Sequence, residues 1–298
     1  MFVKFDYPPT KCFGWGMRLL SFVICFALVG CSITRTKQIS FRDELFYEAN
    51  SSKLINGKVT IPGGFFENVE GQTKGKIKEG KRTGLWTSFY PNGKIASTIN
   101  WVNNLQDGLA TEWYESGQKK IEANYKDDKQ DGLATEWYEN GQKKAEGNFK
   151  GGKRNGLLTY WYENGQMQEQ VNYLRGKPNG LVKLWKINGD LHAQYYAKHG
   201  KKHGDCIHFY PNGTKERVHN FENGTENGSS TSWYSNGNTQ RESIWKNGKM
   251  ISCSVWKPNG EKCTSTKIDN GDGVIVFYND EGEEVGKNYF KNGKELSF

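Results

Sequence analysis

The side chains able to ligate a metal or attack a substrate are few, and several crowd into one part of the chain. All five histidines lie between His192 and His219: His192, His199, His203, His208 and His219. Such a cluster suggests zinc, since His208 and His219 can share one hairpin face and neutral imidazole ligates that ion. Each, however, replaces a polar or small residue of neighbouring segments, and three sit on turns or beside them. No carboxylate is fixed nearby at ligand spacing, so no metal and no cofactor are expected. Beyond the leader, Cys31 is followed by Cys206, Cys253 and Cys263, with no C-x-x-C. Cys206 and Cys253 each stand three residues before an aromatic, in a slot that holds Ala110, Ala134, Leu158 and Val182 elsewhere, which reads as a buried packing position. Cys253 and Cys263 flank one hairpin and are close enough in sequence to bridge, although an odd count does not make a disulfide framework. There is no G-x-S-x-G and no serine or cysteine placed beside a base. Glu136 and Glu139 have equivalents along the array, and repetition argues against catalysis, which needs one perturbed pair in a pocket. The expectation is a protein that is not an enzyme.

A column of tryptophans is the feature best suited to binding. Trp113, Trp137, Trp161, Trp185, Trp233 and Trp256 occupy one slot, with Tyr114, Tyr138, Tyr162 and Tyr234 beside four of them on the opposite face. Facing solvent, the rings form a platform for glycan, peptide or a partner strand; facing one another, they hold neighbouring hairpins together.

The elements that position these residues repeat. Glycines recur at Gly84, Gly108, Gly132, Gly156, Gly180, Gly204 and Gly228, at intervals of 24, each with an aromatic five residues on and a second glycine four beyond that. A fixed period marks a repeat architecture. Asn-Gly pairs such as Asn140-Gly141 and Asn164-Gly165 predict two-residue hairpin turns with both residues at positive φ, and Gly-Lys pairs such as Gly152-Lys153 predict the turns between repeats. The strands of one repeat then run about Leu133 to Glu139 and Gln142 to Phe149. Period two places Leu133, Thr135 and Trp137 on one face and Ala134, Glu136 and Tyr138 on the other, neither apolar enough to bury against a second sheet. A lone hairpin is marginal in water, so each repeat must lean on its neighbours, with atypical repeats at the ends.

The pattern G-L-x-x-x-W-Y-x-N-G followed by a charged strand, an aromatic and x-G-K resembles the variant MORN repeat, and in particular the bacterial YwqK-type antitoxins. The resemblance spans Leu45 to Phe298. It implies an all-β fold, an elongated single-sheet meander of about ten tandem hairpins, and a role in binding.

Ahead of the array, Leu19 to Gly30 is an apolar run of signal-peptide length, preceded by Lys11 and Arg18. Leu28-Val29-Gly30-Cys31 resembles the lipobox of bacterial lipoproteins, which implies lipidation at Cys31; Ser32 after it implies the outer membrane. Translation from Met17 would leave a compact leader; the alternative is an uncleaved anchor. The organisation expected is a signal peptide over 1–30, a tether over 31–44 with a short helix possible from Ser40, and the array over 45–298. A net charge of +8 is spread along the chain, leaving a solvated face of Glu and Lys or a positive stripe for anionic headgroups. A mean hydropathy of −0.81 excludes a polytopic membrane protein. Together these features predict a monomeric, lipid-anchored envelope scaffold that binds a protein or polymer and no nucleic acid. The rivals are an antitoxin that neutralises a partner protein by direct contact and an array that binds phospholipid surfaces.

Overall fold

The computed structural model describes residues 39–61 and 71–296. The expected signal peptide and the lipidation site Cys31 lie outside the described residues. These hold 23 strands and no helix, from β1 (Ile39–Arg42) to β23 (Lys294–Glu295). The chain divides into two compact units, Met1–Gly141 and Gln142–Phe298.

In the first unit, β3 (Gly57–Ile61), β4 (Thr73–Lys78), β5 (Lys81–Phe89), β6 (Ile95–Val102), β7 (Leu105–Trp113), β8 (Lys119–Lys126) and β9 (Lys129–Trp137) pair in chain order, all antiparallel. Residues 39–48, expected to be largely tether with a possible helix at Ser40, instead form the ribbon β1 and β2 (Leu45–Glu48), turning at Asp43 and Glu44 in left-handed conformation. The ribbon caps the array: Phe46 is buried, its ring 6.2 Å from that of Trp86, and its N–H donates to the Gly80 carbonyl.

The second unit continues the pattern within itself from β10 (Lys143–Lys150) and β11 (Lys153–Trp161), through β12 (Met167–Leu174), β13 (Lys177–Trp185), β14 (Leu191–Lys198), β15 (Lys201–Phe209), β16 (Lys215–Glu222), β17 (Thr225–Trp233), β18 (Thr239–Lys246) and β19 (Lys249–Val255). Short β20 (Lys267–Asp269), β21 (Asp272–Tyr278) and β22 (Glu284–Lys291) then lead to β23. Here β21 is covered on both faces, with Ile275 and Val276 both 0% exposed in a cluster with Met250, Cys253, Ile268 and Phe290. At this end the last hairpins, within one sheet, supply enough aliphatic side chains to close over one another.

The two kinds of turn are exchanged relative to expectation. At the Asn-Gly sites only the glycine is left-handed, as in Gly165 at φ 84°. Tyr162 N–H donates to Gln166 O and Gly165 N–H to Tyr162 O, a type I turn closed by a glycine bulge. Asn164 serves through its side chain, whose Oδ1 accepts the Gln166 N–H at 3.0 Å. The two-residue turns with both φ positive lie between repeats, at Asn223-Gly224 (51° and 88°) and at Asp127-Asp128 (49° and 62°). The lysine assigned to that turn is the first residue of the next strand. The first strand of a repeat consequently begins four residues earlier than read, at Lys129 in place of Leu133, and the periodic glycine lies inside it. Gly108, at φ 101°, falls where the pairing of β6 with β7 slips, and on its other side it faces Tyr125 of β8. A positive-φ bulge opposite a large ring explains why no side chain stands there.

Repeats are stitched at both strand ends. Between repeats, Asp128 N–H donates to Gln106 O, and Gly224 N–H to Lys202 O. At the other end, the Tyr114 hydroxyl donates to Trp137 O at 2.8 Å, Tyr162 to Trp185 O at 2.9 Å, Tyr210 to Trp233 O at 2.7 Å and Tyr234 to Trp256 O at 2.8 Å. The tyrosine beside the strand-end aromatic (Trp113, Trp161, Phe209 or Trp233) thus clamps the following repeat. Tyr114→Phe is expected to cost about 1 kcal/mol, the usual net worth of one such bond. Urea unfolding measures it, and an unchanged midpoint would remove the clamp.

Candidate functional site

Cross-strand register sorts side chains between two faces. On the outer face Leu109, Thr111 and Trp113 alternate along β7, the leucine open, the threonine buried and the tryptophan half-buried, with Lys119 opposite the tryptophan. All six tryptophans of the predicted column are half-buried, neither sealed nor fully open. Lysines cover several of them: Lys119 Nζ lies 5.7 Å from the Trp137 ring centre, Lys143 Nζ 5.8 Å from Trp161 and Lys262 Nζ 5.5 Å from Trp256. The first two lysines also pair with Glu122 at 2.7 Å and Glu146 at 2.6 Å.

A leucine column shares this face. Leu85 is 60% exposed, Leu109 47% and Leu133 46% in the first unit, and Leu157 44% in the second. Sequence reasoning noted the Gly-Leu step in every one of these repeats but gave the leucine no role; its recurrence without a partner position in the core was the available signal.

The inner face is built of cross-strand rows. In the first unit Ala110, Ala123 and Ala134 are paired in sequence and fully buried. In the second, one row runs Gly147, Leu158, Val171, Val182, then Tyr195, Cys206, His219, Ser230, Ser243 and Cys253. The adjacent row passes from Ala193 through His208, Arg217, Ser232 and Arg241 to Val255. An aliphatic core therefore turns polar across β15 to β18 and becomes apolar again at the C-terminal cluster. Cys206 and Cys253 occupy the packing slot as read, both buried. All three described cysteines are free thiols, so the bridge left open between Cys253 and Cys263 is not formed.

The polar stretch gathers three of the histidines. Ring centres of His192 and His208 are 5.8 Å apart, and those of His208 and His219 6.4 Å. Among the described residues no group of three or more His, Cys, Asp or Glu is arranged to hold a metal ion. His219 Nδ1 lies 2.7 Å from Glu226 Oε1. Burial, helped by Arg217, Arg241 and Lys202, pushes the His219 pKa down to about 4, so it is neutral at pH 7 and donates Nδ1–H to the carboxylate. Burial likewise holds Arg241 below its ordinary value, with Arg217 adding repulsion while Cys253 and Glu226 oppose it. Two cavities open here, of about 330 Å³ and about 420 Å³, and Arg241 lines both. The first reaches from Arg217 on β16 to Phe277 and Tyr278 on β21. The space opens where polar residues stand at β15–β18 in rows that are aliphatic elsewhere.

Residues 82–103, 106–127, 130–150, 154–174 and 202–223 match the family model described as MORN repeat variant. No curated protein matches the chain. Among solved structures, one titled "Crystal Structure of TcdB2-TccC3-Cdc42" aligns with 79% of this chain and 13% of its own, at 11% identity and a TM-score of 0.15, a likeness too slight to bear on fold or function. Five of the hairpin repeats thus carry the sequence signature of the MORN repeat variant.

Proposed function

We propose that the array is a non-catalytic binding module whose outer face takes an extended protein segment at the bacterial envelope, tethered by lipid at Cys31. The observation that carries this reading is the leucine column: Leu85, Leu109 and Leu133 recur at one position of successive hairpins and remain open to solvent. Apolar side chains repeated in register on a surface mark an interaction face more than singly scattered ones do. Two strand spacings of ~4.8 Å separate successive leucines by about 10 Å. A polyproline-II segment presents every third side chain on one edge about 9 Å apart, a near match to that ladder. The lysine-covered tryptophans beside it offer flat rings and charge for orientation. Catalysis has no support in the arrangement of the outer face, where each group is repeated several times. The tether rests on the Leu28–Cys31 motif, and an outer-membrane address on Ser32.

Recovery of partners from membranes tests the proposal. The wild-type array is expected to retain a protein partner that the combined Leu85→Ser, Leu109→Ser and Leu133→Ser variant, folded by circular dichroism, loses. Equal recovery by both, or turnover of glycans or peptides by the purified array, would overturn it. In the same preparation Cys31→Ala is expected to shift the protein to the soluble fraction; continued retention would favour an uncleaved anchor.

A further inference from the structure

We propose that the cavity between Arg217 and Arg241 is a binding site for a small monocarboxylate with an aromatic or apolar body. It lies on the inner face and is independent of the outer-face reading above.

Arg217, Ser232 and Arg241 are directly paired across β16, β17 and β18, so all three share one row and one face. With strands ~4.8 Å apart, the two arginine backbones stand about 10 Å from each other, with a small serine between them. Ser232 is buried and its hydroxyl donates to Gln240 Oε1 at 3.2 Å, which leaves the space above it open between the two guanidinium groups. The same slot of the repeat holds Ser97, Ile121, Ala145, Glu169 and Ala193 elsewhere. Two consecutive repeats thus carry arginine in a slot that is mostly small or aliphatic, Glu169 being its other charged occupant.

Neither arginine is closely ion-paired, although Glu226 acts electrostatically on both. Arg217 Nη2 comes no nearer than 3.9 Å to Glu216 Oε1, at the limit of an ion pair. Among the described residues no carboxylate lies within ion-pair distance of Arg241. Arg217 keeps 37% of its side chain open to solvent, whereas Arg241 is half-buried with only the fields of Cys253 and Glu226 to offset its charge, which is costly. The lowered pKa of Arg241 reflects that burial and the proximity of Arg217. Counting Arg217, Arg241 and Glu216, the lining carries one net positive charge, which one monoanion cancels. Guanidinium forks hold planar carboxylate oxygens in paired hydrogen bonds, a geometry a tetrahedral dianion matches less well in charge. The rest of the wall is Tyr210, Val255, Phe277 and Tyr278, suited to a ring or short chain. The volume of about 330 Å³ falls at the small end of ligand pockets, commonly ~300–1,000 Å³.

Titration calorimetry on the purified full-length chain, with benzoate, acetate and inorganic phosphate as probes at constant ionic strength, tests the site. Benzoate is expected to saturate at one per chain, with acetate and phosphate at least tenfold weaker. Arg241→Gln and Arg217→Gln are each expected to weaken benzoate at least tenfold, and Arg241→Lys should not restore it. Thermal melts of the wild type supply a readout that needs no variant: benzoate should raise the midpoint where equal chloride does not. No saturable benzoate binding, phosphate binding more tightly than benzoate, or undiminished binding by a folded Arg241→Gln protein would each overturn the assignment.

Discussion

Gly147→Val is expected to destabilise the second unit by about 1–3 kcal/mol, the range seen when methyl groups are forced into a filled core. Gly147 of β10 is paired with Leu158 of β11, which is 1% exposed. A Cβ at Gly147 would overlap Leu158 Cδ1 and come within 3.3 Å of Leu158 Cα, so the leucine side chain would have to swing out of its place and the backbone beneath it give slightly. The corresponding slot elsewhere is filled from both sides. Ala123 faces Ala134 and Val171 faces Val182, each pair medium or small on both sides. Gly75 lies under the Trp86 ring as Gly147 lies under Leu158. At both glycines a large partner fills the room that the missing side chain leaves. It follows that Gly147→Ala combined with Leu158→Ala should be closer to wild type than the sum of the two single changes, because it recreates the Ala123–Ala134 pair. Urea midpoints of the four proteins give the coupling directly, and simple additivity would show that the two positions do not share that room. Since each repeat touches chiefly its neighbours, hydrogen exchange should quicken around β10–β12 and remain slow at the C-terminal cluster. A uniform rise in exchange would show instead that the unit opens as a whole.

The repeat and its strands were legible because turn chemistry and aromatic spacing recur in phase: glycines at 24-residue intervals leave little freedom in assigning hairpins. The cysteine slot was legible for the same reason, since Ala134, Leu158 and Cys206 hold equivalent positions. The nature of each turn was not. Asn-Gly suits a two-residue turn by backbone preference, yet Asn164 is used for its side-chain oxygen, while pairs as unremarkable as Asp127-Asp128 take both left-handed positions. Preference of a dipeptide does not reveal loop length, which is set by the pairing of the strands on either side. Strand starts were misplaced with it, because a glycine inside a bulge looks like a glycine at a boundary. At the candidate sites, the tryptophans were found and the leucines overlooked, as burial and not residue type distinguishes an exposed apolar column from a core one. The arginine row was within reach, since Arg217 and Arg241 are 24 residues apart and depart from Ile121, Ala145 and Ala193. What no spacing could supply is the approach of Phe277 and Tyr278, on a strand far along the sheet, to complete the cavity.

Acidification is expected to loosen the polar stretch first, and His219 gives the sign. In the unfolded chain its pKa is about 6.5, and in the folded protein about 4, because the side chain is only 13% exposed and faces Arg217, Arg241 and Lys202. Between these values the unfolded chain binds the proton and the folded one does not, so stability is full above pH 6.5 and falls as pH drops toward 4. At about 1.4 kcal/mol per pKa unit the whole effect is at most about 3 kcal/mol, of which about 2 kcal/mol is lost between pH 7 and 5. His208, also held below its ordinary value by burial, acts in the same direction. Glu226 opposes them: burial raises its pKa, so the folded state takes up its proton more readily than the unfolded one, and the loss is blunted as the carboxylate range is approached. The clean window is therefore pH 5 to 6.5. Urea midpoints across it should decline for the wild type and decline distinctly less for His219→Gln, whose amide can still donate to Glu226 but cannot be protonated. Hydrogen exchange at pH 5 should place the opening at β15–β18, between the two aliphatic clusters. Parallel decline of the two proteins would assign the acid response to other groups and remove His219 as its source.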